Sequence, residues 1–177
     1  MVYMHKLIPF ILFCSVTTIA AYSQNPWELG AEYMRPIGKG FNGNMAGPRY
    51  ETFSNRNSFT IGLTYHFSSK NSYSFSKGFG MYAGYRYSFG SNTKGNNPFA
   101  GLRVLFSFEN FEGKTHLNSL MMTPMAEAGY HFIFAKRIFT SPFIAGGYTI
   151  KITKEHNSLD EDVGGRFIPG IAAGYRF

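Results

Sequence analysis

Beyond its first two dozen residues the chain alternates between apolar and polar side chains with a period of two, the mark of strands whose two faces meet unlike surroundings. From Ser58 to Phe67, Phe59, Ile61, Leu63, Tyr65 and Phe67 share one face, while Ser58, Thr60, Gly62, Thr64 and His66 share the other. The pattern recurs from Phe79 to Phe89, where Phe79, Met81, Ala83, Tyr85, Tyr87 and Phe89 oppose Gly80, Tyr82, Gly84, Arg86 and Ser88. It returns from Ala100 to Glu109, from Met122 to Phe134 and from Arg166 to Phe177. Two segments alternate less cleanly. Trp27 to Pro36 sets Glu28, Gly30, Glu32 and Met34 on one face, and Ile138 to Ile152 sets Ile144, Gly146, Tyr148, Ile150 and Ile152 opposite Lys151. Seven strands are therefore predicted, joined by stretches rich in turn formers. Ser68 to Gly78, Asn110 to Asn118 and Thr153 to Gly165 read as long loops, and Ala135-Lys136-Arg137 as a tight turn. No linker or second domain is visible.

Alternation does not say which face lies outward, but the residue types do. The polar face is rich in Gly, Ala, Ser and Thr and poor in Lys, unlike a solvated surface. It suits the crowded interior of a small barrel, which about eight strands leave just wide enough for side chains. Its charges carry both signs. The apolar face is large and aromatic, with Tyr and Phe recurring near strand ends, as in the aromatic girdles of a membrane barrel. The predicted fold is therefore all-β: a transmembrane, antiparallel, up-and-down β-barrel with lipid outside. A soluble, lipocalin-like barrel with the apolar face inward is the competing architecture. Single-chain bacterial membrane barrels have an even number of strands, so an eighth is expected near Arg49 to Phe53, after the Gly-rich stretch Gly38 to Gly47, returning through Asn55-Arg56-Asn57. Short turns then fall on the periplasmic side together with both chain ends. Gly90 to Asn97 is long for such a turn.

Composition sharpens this picture. Aromatics make up 18% of the chain and charged residues only 15%, against about a quarter in ordinary soluble domains. The net charge of +7 is spread over scattered Lys and Arg rather than a run, which argues against nucleic-acid binding. At the N-terminus, Lys6 precedes an apolar run from Leu7 to Ala21, and Ala21-Tyr22-Ser23 offers small residues where a signal peptidase reads. A signal peptide over 1–23 is expected, with cleavage after Ser23 and a barrel domain over 24–177. The only cysteine, Cys14, lies inside that leader as an apolar filler. The mature chain would then have no disulfide and no thiolate site.

With its leader, strand rhythm and ending Tyr175-Arg176-Phe177, the chain resembles the small outer-membrane barrels of the OmpA/OmpX type. In that family a terminal aromatic, with apolar residues at alternate positions before it, is the sorting signal for the barrel-insertion machinery. Phe177, Tyr175, Ala173 and Ile171 match that pattern. The resemblance implies an outer-membrane location and contact with lipid or lipopolysaccharide, but no particular activity. The appended peptidoglycan-binding domain of some members is absent from this sequence.

Inward charges are the most informative chemistry. Glu32, Arg86, Arg103 and Glu127 should lie near mid-height and form an ion network, with Arg103 and Glu127 on neighbouring segments. Glu28 and Arg176 should meet where the first and last strands close. A buried charge without a partner costs several kcal/mol, so a closed interior requires mixed signs. A plug is the expected role, and a gated ion path or small, porin-like transport channel the alternative. A lipid A deacylase-like enzyme would need Ser, His and an acid within hydrogen-bond reach. Ser107, Glu127 and His131 share the inward face, but Glu127 and His131 stand about 13 Å apart along one strand at ~3.3 Å per residue. His116 and Ser119 fall in a predicted loop without an acid partner. Glu155, His156, Asp160, Glu161 and Asp162 cluster in the last loop without EF-hand spacing, so no metal or cofactor is expected. A structural or interaction barrel without catalysis is the reading that follows, its protein partner unnamed.

Overall fold

The computed structural model describes residues 25–38, 41–69, 75–90, 96–112, 117–152 and 163–177. The expected leader with Cys14, His116, and the charged cluster Glu155, His156, Asp160, Glu161 and Asp162 lie outside the described residues. Every regular element among the described residues is a strand. β1 runs Trp27–Met34 and resumes at Ile37–Gly38, followed by β2 Phe41–Ser54, β3 Asn57–Ser69, β4 Phe75–Ser88, β5 Asn97–Glu112, β6 Leu117–Phe134, β7 Ile138–Lys151 and β8 Gly164–Arg176. Each pairs antiparallel with its neighbours in the chain, and β1 pairs with β8, Glu28 opposite Arg176 and Gly30 opposite Gly174. The sheet is thus an eight-stranded closed barrel without a free edge.

Burial is inverted relative to a soluble domain. Leu102 is 68% exposed and Ile144 55%, while Arg49, Arg103 and Glu28 are each 1% exposed. The predicted assignment of faces therefore holds along the strands: Phe59, Ile61, Leu63, Tyr65 and Phe67 lie outside, and Ser58, Thr60, Thr64 and His66 are buried. A continuous apolar exterior of this size is not stable against water. It matches hydrocarbon, where a closed barrel also satisfies every backbone group that an open sheet would leave unpaired. Strands β2 to β8 have 13 to 18 residues, more than the about 9–11 that a tilted strand needs to cross the apolar layer.

Several boundaries differ from expectation. The first strand stops at Met34, because Pro36 has no N–H for the ladder. The ladders continue there through Arg35 N–H to Pro169 O at 2.9 Å on the β8 side and Gly43 N–H to Pro36 O at 3.1 Å on the β2 side. The eighth strand, sought at Arg49 to Phe53, is the much longer β2. It runs through the Gly-rich stretch to Phe41, with a register shift at Asn44/Met45. The predicted loops are shorter than read, since strands continue through Ser69, from Phe75, through Glu112 and from Leu117. Ser119, expected in a loop, pairs with Glu109.

The interior is also less small than predicted. Met34, Met45, Tyr82, Phe99, Leu105, Met125, Phe143 and Ile168 are buried among the polar residues. Glycines make room for them: a Cβ at Gly62 would stand 2.6 Å from Cε1 of Tyr82. Gly62→Val should displace that ring and lower stability by about 1–3 kcal/mol. A lower urea midpoint at unchanged slope would report it. Gly146→Val, at an outward position with nothing within 4 Å, should leave the midpoint unchanged or raise it.

Candidate functional site

Inward positions at the middle of the barrel carry the charges. Glu32 comes from β1, Arg49 and Glu51 from β2, Arg86 from β4, Arg103 from β5 and Glu127 from β6, and all six side chains are at most 2% exposed. Taken pair by pair they form a closed ring of alternating sign. Arg103 bonds Glu32 through Nη1 and Glu127 through Nη2 at 2.8 Å. Glu127 accepts from Arg86 Nε at 2.5 Å, and Arg86 Nη1 reaches Glu51 Oε2 at 3.4 Å. Glu51 contacts Arg49 Nη2, and Arg49 Nε returns to Glu32 at 3.5 Å. Every guanidinium has two carboxylates and every carboxylate two guanidiniums, so the ring is neutral.

Hydroxyls and aromatic rings brace it. Ser58 Oγ donates to Glu51 at 2.5 Å, and Arg49 Nε donates to Thr60 Oγ1 at 3.3 Å. Arg86 lies 4.3 Å from the centre of the Phe99 ring, and Arg103 lies 4.5 Å from Tyr82 and 5.0 Å from Phe143. A guanidinium bonds carboxylates in its plane and stacks on rings across its faces, and these arginines use both modes. Charge pairing and ring stacking meet at the same height of the barrel.

Below the ring, at the end with the short turns, Glu28 Oε1 accepts from Arg176 Nε at 2.8 Å and lies 3.0 Å from His131 Nε2. Phe53 and Phe139 flank the imidazole at centroid distances of 5.8 and 5.6 Å. Toward the loops, Thr123 and Thr149 share a hydrogen bond of 2.9 Å, and Arg166 Nε donates to Thr149 at 3.3 Å. The candidate Ser–His–acid set does not assemble: Glu127 belongs to the ring, and the acid beside His131 is Glu28. Among the described residues no group of three or more His, Cys, Asp or Glu is placed to hold a metal ion.

Of the six residues named from the sequence, Glu32, Arg86, Arg103 and Glu127 are four members of the ring, and Glu28 and Arg176 form the separate cluster below. Arg49, Glu51 and His131 are the members that the network reading left out. The alternation of Arg49 with Glu51 in the indistinct second strand was the available signal. The terminal residues sit outside the barrel. Phe177 stacks on Trp27 at 3.9 Å, and its N–H bonds Trp27 O at 2.9 Å. Tyr175 OH accepts from Arg137 Nη1 at 2.6 Å. Phe177 thus closes the seam between the first and last strands, and Tyr175 ties β8 to the β6–β7 turn.

No family model matches this chain, and no curated protein matches it. Solved structures do resemble it. The N-terminal β-barrel domain of Pseudomonas aeruginosa OprF aligns with 16% identity and a TM-score of 0.62, covering 87% of this chain and 98% of that domain. Neisserial surface protein A aligns with 14% identity and a TM-score of 0.60, over 87% of this chain and 96% of that one. Ail, the attachment invasion locus protein of Yersinia pestis, aligns with 15% identity and a TM-score of 0.52, over 86% and 97%. All three are small eight-stranded outer-membrane barrels. At this identity the likeness establishes a shared fold.

Proposed function

We propose that the protein is an integral outer-membrane β-barrel with a structural or interaction role, closed through its lumen and without catalysis. In this reading it is exported, cleaved after Ser23 and inserted by the barrel-assembly machinery, which reads Tyr175 and Phe177. Its loop end faces outward to a partner, a ligand or lipopolysaccharide. The observation that carries the reading is the pairing of an apolar, aromatic exterior with a charged interior whose ions satisfy one another. Such an interior leaves no continuous path for ions. Its six ring members and the aromatic side chains stacked on them occupy the same level of the barrel.

Bilayer recording tests this directly. Refolded protein should insert into lipid vesicles and run as a compact, heat-modifiable band, yet show no unitary conductance in planar bilayers. A wild-type barrel that conducts would contradict the plug. Release of fatty acid from lipopolysaccharide by the purified protein would replace the interaction role with an enzymatic one.

A further inference from the structure

The charges outside the lumen are divided between the two barrel ends. Of the acidic residues, Glu28, Glu32, Glu51 and Glu127 lie inside, Glu109 and Glu112 fall at the loop end of β5, and Glu155, Asp160, Glu161 and Asp162 fall between β7 and β8. The segments joining strands at the turn end hold Arg56, Lys94, Lys136 and Arg137 and no Asp or Glu. Among the described residues the turns at that end are basic.

Of these cations, Arg56 lies on the β2–β4 side, in the turn between β2 and β3. Its carbonyl accepts from Ser88 N–H at 2.7 Å, which ties the β2–β3 turn to β4. Its Nη1 donates to Tyr87 OH at 3.3 Å, and next to it Tyr85 OH donates to Asn57 at 2.6 Å. Tyrosines at strand ends mark the headgroup level of a bilayer. A guanidinium fixed there by one N–H keeps its other donors for a phosphate, which it can grip in two-point fashion.

The same face carries a groove. Four residues along β3 from Asn57, about 13 Å at ~3.3 Å per residue, a depression of about 470 Å³ opens between Tyr50, Ile61, Leu63 and Met81, over the short side chains of Pro48 and Ala83. Its size is that of a small-molecule site. Its walls are apolar and turn toward the hydrocarbon, so the occupant that fits is an acyl chain.

We propose that the β2–β4 face binds one anionic glycerophospholipid, with its phosphate at Arg56 beside Tyr87 and an acyl chain in the groove over Pro48 and Ala83. The proposal rests on the reading of the apolar belt as lipid-facing. It adds a headgroup chemistry and a place to that reading: phosphate with a net negative charge, in the leaflet on the turn side.

Native mass spectrometry of the detergent-solubilised barrel tests it, with phosphatidylglycerol and phosphatidylcholine of equal chains as probes. Wild type should retain a single phosphatidylglycerol over phosphatidylcholine by about fivefold, the ratio conferred by one basic residue at an anionic surface. Arg56→Gln should abolish the preference. Ala83→Phe, which fills the groove from outside, should reduce retention of both lipids. Equal retention by wild type would overturn the proposal, as would a preference that survives Arg56→Gln or an Ala83→Phe variant that binds as before. Displacement by glycerol phosphate, which has no chains, would make this a free-phosphate site and would equally overturn it. Failure to insert into vesicles would remove the membrane reading together with the lipid site, whereas insertion without lipid preference would remove the lipid site alone.

Discussion

Glu127→Ala is expected to lower folding stability by about 3–5 kcal/mol, because it opens the ion ring and leaves two guanidiniums undercompensated in a buried interior. Glu127 accepts from Arg86 Nε at 2.5 Å and Nη2 at 3.3 Å, and from Arg103 Nη2 at 2.8 Å. After truncation Arg86 keeps only the 3.4 Å contact to Glu51, and Arg103 keeps only Glu32. The fluorescence of Trp27, the single tryptophan, can follow unfolding by denaturant. Conductance should stay absent, since Tyr82, Phe99 and Phe143 still fill the lumen at that height. A loss under about 1 kcal/mol, the range of exposed pairs, would mean that the ring is solvated and the plug reading wrong.

Ile144→Arg should be nearly as damaging for the opposite reason. Ile144 lies midway along β7 and points outward, 55% exposed. On a soluble barrel an arginine there would be neutral or would aid solubility. Against hydrocarbon it should cost about 2–4 kcal/mol near the midplane. The measurement is folding into lipid vesicles, compared with folding of the same variant in short-chain detergent, where the penalty should shrink. Equal stability of variant and wild type in vesicles would place this face in water.

Much of this architecture can be read from residues alone, and the parts that resist have physical causes. β3, β4 and β5 alternate cleanly because one face touches hydrocarbon and the other a polar interior. β2 does not: its inward positions include Met45 and Phe53, and its outward ones Asn44, Pro48 and Thr52, so the two faces differ little in polarity. The register shift at Asn44/Met45 disturbs the period further. Arg49 and Glu51 were hidden with that strand, and with them a third of the ring. β7 blurs for another reason, since Phe139 and Phe143 point inward and Ile144 and Tyr148 outward, making both faces apolar. Those inward rings answer a need that alternation cannot express, namely flat partners for arginine faces. Glu32 and Arg103 were legible as members of one interior network but not as direct partners, because which strands face one another across the lumen depends on tilt and stagger.

Glu32 and Arg103 are 71 positions apart and Glu28 and Arg176 are 148, so although the β1–β2 and β5–β6 hairpins each hold an ion pair of their own, no single hairpin completes the ring, and Arg86 finds its carboxylates only on β2 and β6. A half-built sheet sliding into lipid would carry naked guanidiniums with it. Entry one hairpin at a time is therefore disfavoured, and the polypeptide must wrap into a cylinder as it sinks. The membrane admits either the whole circle or nothing, and the order of assembly is written into the pairing of its charges.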